Sequence, residues 1–267
     1  MKNIRSLKSK FLELFLSKRS FVTTRTEKND VLALIRKLSP VSTAKGLLRM
    51  GPSGDGGYLV PADLEGIEAC FSPGVSSISG FEKDCAELGM NVYLADKSVE
   101  KPAELHERFC FVRKFVGAKS DDDFITIDDW VKSSAVDNNS DLLLQMDIEG
   151  YEYETILNCS SHLLNRFRVI VVEFHDLDQF WNRPFFNIAA RSFDRILQTH
   201  ACVHIHPNNY YKIYKKYGLE IPPLAEFTFL RKDRLVDSFK RTDFPHPLDK
   251  DNTNNPTQIL PECWYSS

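Results

Sequence analysis

The 267-residue sequence has no CxxC pair; its six cysteines, Cys70, Cys85, Cys110, Cys159, Cys202 and Cys263, are scattered. Most stand in apolar stretches, as buried free thiols do, so neither a disulfide framework nor a structural zinc site is expected. There is no apolar run near the roughly 18 residues of a membrane span. Residues 1–22 lack the continuous apolar centre of a secretory leader, because Glu13 interrupts Phe11 to Leu16 and no small-residue cleavage site follows. The expected compartment is the cytoplasm. A basic excess is missing too: 34 Lys+Arg stand against 37 Asp+Glu, a net charge of −3, which argues against a chain built to coat nucleic acid. No internal repeat is visible. At 42% hydrophobic residues the chain can bury a large core, which excludes collagen-like, mucin-like and wholly disordered readings.

What is present divides into three stretches: 1–44, 45–242 and 243–267. In the first, Ile4, Leu7, Phe11, Leu14 and Phe15 share a helical face, with Lys2, Arg5, Lys8, Lys10, Lys18 and Arg19 around it. That pattern fits an anionic membrane surface touched from the inside, or packing on the chain's own domain. A second helix is expected from Asp30 to Leu38. The middle stretch alternates short apolar strands with helical segments, the pattern of a mostly parallel α/β sheet with helices on both faces. Seven strands are expected: Ile67–Phe71, Val92–Ala95, Phe111–Val116, Leu142–Met146, Val169–Phe174, a segment near Val203–His206, and Phe227–Leu230. Helices are expected at Gly80–Leu88, Glu152–Leu157 and Phe185–Thr199. Leu142-Leu143-Leu144 and Val169-Ile170-Val171-Val172 do not alternate, so both faces of these strands should be buried. The last stretch, rich in Asp, Asn and Pro, reads as irregular chain, either a lid or a frayed end.

In an open parallel sheet, ligands bind beyond the carboxyl ends of the strands, where the strand order reverses. The first of these strands runs into Ser72-Pro73-Gly74-Val75-Ser76-Ser77, a small-residue turn that lets backbone amides approach a ligand. The second runs into Asp96, about twenty residues on, placed to hold both hydroxyls of a ribose. Together they point to a nucleoside-bearing cofactor. The GxGxxG fingerprint that a pyrophosphate needs is absent. S-adenosylmethionine, with a ribose and no phosphate, tolerates the looser turn. The loop Arg49-Met50-Gly51-Pro52-Ser53-Gly54-Asp55-Gly56-Gly57-Tyr58 either covers the cofactor or forms a tight hairpin.

The next strand ends carry acids. Asp147 and Glu149 follow Met146, and Glu173 and His175 end the next strand; alternation would put each pair on one side. If the strands are neighbours, three carboxylates and an imidazole converge, and their repulsion calls for a proton or a cation. His204 and His206, then Asn208 and Asn209, add imidazoles and amides. Such a group serves as a general base for a hydroxyl or as ligands for a divalent ion such as Mg²⁺. The metal set read from the sequence is Glu149, Glu173, His175 and His206. The aromatics of Phe180-Trp181-Asn182-Arg183-Pro184-Phe185-Phe186 read as packing.

Asp141-Leu142-Leu143-Leu144-Gln145-Met146-Asp147-Ile148-Glu149-Gly150-Tyr151-Glu152 resembles the signature of the FkbM-type methyltransferases, class I enzymes that use S-adenosylmethionine. Thr126-Ile127-Asp128-Asp129-Trp130, Phe71-Ser72-Pro73-Gly74 with Phe81-Glu82, Asp96, Asp55-Gly56-Gly57-Tyr58 and Glu226–Lys232 are similar to segments of that family. The likeness spans roughly residues 45–235. Ser72 stands where the family has an acid, and Gln145 where it has a lysine; Glu82 is a candidate for the missing carboxylate. The resemblance implies a Rossmann-like class I fold and methyl transfer to an oxygen, often on a sugar or glycan. It implies cofactor contacts from Ser72, Gly74, Ser76, Glu82, Asp96, Asp55, Gly57 and Tyr58, and catalytic roles for Asp147, Glu149 and His175. Two other readings compete. One is a non-enzymatic module docking on membranes or glycan-assembly proteins; the other is a nicotinamide-dependent oxidoreductase.

Overall fold

The structure, a computed structural model, describes residues 23–75 and 78–266. The basic segment 1–22 and Ser76, both assigned roles from the sequence, lie outside the described residues. In chain order the main elements are α1 (Lys28–Lys37), β1 (Leu47–Met50), β2 (Tyr58–Pro61), β3 (Ile67–Pro73), α2 (Gly80–Glu87), β4 (Asn91–Ala95), β5 (Phe109–Val112), β6 (Phe115–Val116), β7 (Phe124–Ile125) and α3 (Ile127–Ser133). There follow β8 (Asp141–Met146), α4 (Glu152–Asn158), α5 (Ser161–Arg166), β9 (Phe167–Phe174), α6 (Arg183–Thr199), β10 (His200–Pro207), β11 (Tyr214–Lys216), β12 (Leu219–Ile221) and β13 (Ala225–Arg231).

Seven strands form one sheet in the order β10-β13-β9-β8-β3-β4-β5. All the pairings from β9 to β5 are parallel, and β13 runs antiparallel between β9 and β10. This is the mostly parallel, doubly wound, Rossmann-like sheet expected from the sequence. From β3 the chain builds outward through β4 to β5, then returns to build the other half from β8. The reversal lies between β3 and β8, and the crevice beyond their carboxyl ends is where such a fold binds ligands.

The non-alternating strands behave as their composition requires. Leu142 and Leu144 of β8, with Ile170 and Val172 of β9, enter one core with α3–α6. Leu143, Val169 and Val171 enter the other, with Phe81 and Cys85 of α2 and Met50 and Val60 of the β1–β2 hairpin. Thr126 caps α3 by accepting the amide of Asp129, and Pro184 sits in the first turn of α6, where its missing N–H costs nothing. Phe180, Trp181 and Phe186 are buried, as packing residues should be. The expected strand Phe111–Val116 is instead two, β5 and β6; Lys114 bonds back to Val112, and the chain turns there to pair β6 with β7.

The carboxy-terminal stretch is irregular but seated. Trp264 is fully buried, donates its indole N–H to Glu220 O at 3.0 Å and packs against Phe227. The turn that carries it, Glu262–Trp264, lies against α1. Deleting an indole from such a site leaves a large cavity, so Trp264→Ala should cost roughly 3–5 kcal/mol. Urea unfolding followed by circular dichroism reads this; a midpoint unchanged from the parent would mean the terminus does not support the core.

Candidate active site

The ends of β3, β4 and β8 are tied together by backbone. Gly74 donates to Ala95 O at 3.0 Å, and Asp147 donates to Pro73 O at 3.2 Å. Gly74 adopts φ +93°, and a Cβ on it would lie 1.5 Å from Asp147 O. Only glycine lets the two turns touch in this way. The hairpin loop between β1 and β2 folds over the same edge. Arg49 clamps it through Pro52 O and Gly54 O, and the Gly51 amide bonds the Asp84 carboxylate on α2. A Cβ on Gly57 would lie 2.1 Å from Pro52 O, so Gly57 shapes this loop. The stretch is a hairpin whose loop brings Asp55 to the cavities at this edge.

Three cavities meet at this edge. One of about 420 Å³ is lined by Gly74, Ala95, Asp96, Ser98, Val116, Ile148 and the rings of Phe115, Phe124 and Tyr151. A second of about 490 Å³ is lined by Glu173, His175, Asn208, Tyr210, Tyr211, Asn252 and Thr253. A small one of about 30 Å³ reaches Tyr58, Glu82 and Gln145. Asp55 and Asp147 line all three, and Glu149 lines the two larger ones. A larger open groove, of about 780 Å³, lies at the opposite sheet edge, beside Ser140, Asp141 and Arg231.

Asp96 is buried at the first cavity. Its Oδ1 accepts both the amide and the hydroxyl of Ser98 at 2.7 Å, which fixes the carboxylate and leaves Oδ2 for a ligand. The polar groups behind the small cavity form a chain. The Ser72 hydroxyl sits 2.5 Å from Glu82 Oε1 and 2.6 Å from Gln145 Oε1, and Gln145 donates to the Tyr58 hydroxyl at 3.3 Å. Burial raises the Glu82 carboxyl above its usual range, so Glu82 can carry the second proton that the two short contacts at Ser72 need. Ser72 itself lines none of the three cavities. It holds Glu82 and Gln145 against the small one.

At the second cavity the acids converge, though not by strand alternation. β8 ends at Met146, and Asp147 to Gly150 form a turn in which Glu149 (φ 55°) and Gly150 (φ 99°) are left-handed. β9 ends at Phe174, just before His175. His175 Nε2 faces Glu149 Oε2 at 3.4 Å and Asp147 Oδ1 at 3.9 Å, while its Nδ1 contacts Glu152 Oε1 at 3.1 Å. Glu152 is fully buried, and its Oε1 also accepts the amides of Ile148 and Gly150. It therefore fixes both the turn and the imidazole. Glu173 accepts Asn208 Nδ2 at 2.6 Å and lines the same cavity as Asp147.

Charge crowding shows in the acidities. Burial, with the neighbouring Glu149 and Glu152, pushes Asp147 up to about 6 against the pull of His175. Burial, Asp147 and Glu226 raise Glu173 well above the carboxylate range. Burial opposes charge on His175, but Glu152, Asp147 and Glu149 outweigh it and lift the imidazole to about 9.

His206 does not join this group. His204 Nε2 lies 2.8 Å from Asp249 Oδ1, and His206 Nδ1 lies 3.7 Å from Asp249 Oδ2. Among the described residues only Asp147, Glu149 and His175 place ligand atoms within 4.8 Å of one another. His206 belongs instead to the anchor of the carboxy-terminal stretch, where Asn252 reaches Glu226 at 2.7 Å and Thr253 and Asn255 hold Asn209. Asn252, Tyr210 and Tyr211, which line the second cavity, carry no sequence signal of their own, since each reaches it from an irregular segment. Glu152 did carry one, as the last acid of the motif after β8.

Residues 89–205, from the approach to β4 through most of β10, match the family model described as the methyltransferase FkbM domain. No curated protein matches the chain. Among solved structures, one match is a protein from Anabaena variabilis ATCC 29413, provisionally named a methyltransferase from an antibiotic biosynthesis pathway. It is 13% identical, with 53% of this chain and 60% of that one covered and a TM-score of 0.27, too slight a likeness to bear on fold or function.

Proposed function

With a methyltransferase FkbM domain over residues 89–205, we propose that the protein is an S-adenosylmethionine-dependent O-methyltransferase acting on a hydroxyl of a sugar or glycan. The observation that carries this reading is the position of Asp147, at the junction of the cavity holding Asp96 and the cavity holding Glu173 and His175. A donor on one side and an acceptor on the other would meet there.

The cleft suits the cofactor chemically. Asp96 offers a fixed carboxylate to a ribose, Phe115, Phe124 and Tyr151 offer faces to an adenine, and Gly74 opens the turn toward Asp55 and Glu82 for the amino-acid end. When bound, S-adenosylmethionine would supply a sulfonium methyl for the acceptor oxygen, its sulfur keeping the electron pair as the leaving thioether. The protein's part is alignment and removal of the hydroxyl proton. Asp147, lifted to about 6, is matched to accept a proton near neutral pH. Glu149 and His175 either share that proton or, with Asp147, hold a divalent cation. Peripheral contact with the inner face of a membrane through residues 1–22 remains part of the proposal; no helix among the described residues is long and apolar enough to cross a membrane.

No Lys or Arg is among the described residues lining the three cavities. That favours a neutral hydroxylated acceptor over a phosphorylated one and weighs against a nicotinamide dinucleotide, whose pyrophosphate needs a cradle. The dense acid–His group weighs against a docking module, which has no use for buried charge. The test is incubation with methyl-labelled S-adenosylmethionine and a panel of neutral glycosides, glycans and nucleotide sugars, with and without Mg²⁺. Label is expected on a neutral acceptor. Tight binding of NADH with none of S-adenosylhomocysteine would overturn the reading. His175→Ala should leave S-adenosylhomocysteine affinity within about threefold in calorimetry and lower turnover by roughly 100-fold, the usual range for a proton-transfer group. A loss of affinity equal to the loss of turnover would place His175 in the cofactor site instead.

A further inference from the structure

The geometry points to a divalent-cation site formed by Asp147, Glu149 and His175, with Glu152 as its outer carboxylate. It uses the methyl-transfer reading only to say what the ion faces. The three side chains bring one ligand atom each within 4.8 Å of the others. Ligands about 2.1 Å from a shared ion stand roughly 3.0–3.5 Å apart, whereas a good N–H···O bond is shorter than about 3.2 Å. The His175 Nε2 distances of 3.4 Å to Glu149 and 3.9 Å to Asp147 are long for hydrogen bonds; the first falls within ligand spacing and the second a few tenths of an ångström beyond it.

Two further observations support the site. Asp147 Oδ1 is sealed from solvent and has no hydrogen-bond donor, a costly state for a carboxylate oxygen unless something sits against it. On the far side of the imidazole, Nδ1 meets the fully buried Glu152 at 3.1 Å. That contact holds the ring with its Nδ1–H on Glu152 and turns Nε2 toward the two acids, where a bound ion would take the place of the Nε2 proton, the arrangement found behind metal-bound histidines. Glu152 is thus a positioning residue.

The donor set narrows the ion. One imidazole nitrogen with two carboxylates suits Mn²⁺ or Zn²⁺ better than the all-oxygen ions Mg²⁺ and Ca²⁺. At the junction of the cavities, such an ion would sit beside the acceptor hydroxyl and favour loss of its proton. Glu173, which accepts Asn208, and His206, which faces Asp249, stand outside the set.

Titration of the full-length protein with Mn²⁺, followed by loss of the free-ion paramagnetic resonance signal, tests this without any turnover. One equivalent of Mn²⁺ should bind, be displaced by Zn²⁺, and resist a large excess of Ca²⁺. Asp147→Asn and His175→Gln should abolish binding, and Glu152→Gln should weaken it by about 10–100-fold. Circular dichroism and a thermal melt check that each variant is folded. Wild-type protein that leaves the Mn²⁺ signal unchanged, or binding that survives both Asp147→Asn and His175→Gln, would overturn the site. Mn²⁺ binding without any S-adenosylhomocysteine binding would overturn the methyl-transfer reading and leave the site standing.

Discussion

Gly74→Ala is expected to lower methyl-transfer turnover by at least about 100-fold while the protein still folds. The new Cβ would fall 1.5 Å from the carbonyl oxygen of Asp147, a separation no non-bonded pair can hold. The nearest atoms are backbone, so no side chain can swing aside. The Asp147 turn must move, and φ +93° adds strain of its own for any L side chain. A displacement of about 1 Å at a reacting centre costs on the order of 100-fold in rate. Stability should fall by only about 1–3 kcal/mol, because the clash is local and at the sheet edge. Steady-state kinetics with a thermal melt separates the two effects. A variant with parental turnover would mean that contact between the β3 and β8 turns has no part in placing Asp147.

Asp96→Ala is expected to abolish measurable S-adenosylhomocysteine binding in calorimetry. Two hydrogen bonds from ribose hydroxyls to a carboxylate contribute roughly 1.5–3 kcal/mol each, so losing both weakens affinity by about 100-fold or more. The carboxylate is already held by Ser98, so little ordering remains to be done on binding. Asp96→Asn should fall between parent and alanine variant, and Ser98→Ala should have a smaller effect than either. Affinity unchanged in Asp96→Ala would remove the ribose from this cavity.

The sequence speaks most clearly where burial controls composition. Leu142-Leu143-Leu144 and Val169–Val172 have no polar face to spare, and only the middle of a parallel sheet covers both sides of a strand. Gly74 and Asp96 were legible because the end of a strand in this fold is a fixed address. The acid group was legible as a collection but not as a geometry. Alternation is a rule for extended chain, and Asp147 and Glu149 lie past the end of β8, where Glu149 takes a left-handed φ that a composition cannot announce. His206 was misplaced for a related reason: its partner, Asp249, is 43 residues further along the chain in an irregular segment with no periodic signal. Glu152 was read as a helix start, which it is. That the same carboxylate also reaches His175, 23 residues away, follows from the adjacency of β8 and β9 and from nothing local.

A crystal structure with S-adenosylhomocysteine bound tests the central claim most directly. The account expects the nucleoside in the cavity of about 420 Å³, its ribose on Asp96 and its sulfur facing the junction at Asp147 and Asp55. Density for the ligand in the groove at the opposite sheet edge, touching none of Gly74, Asp96 and Asp147, would contradict it.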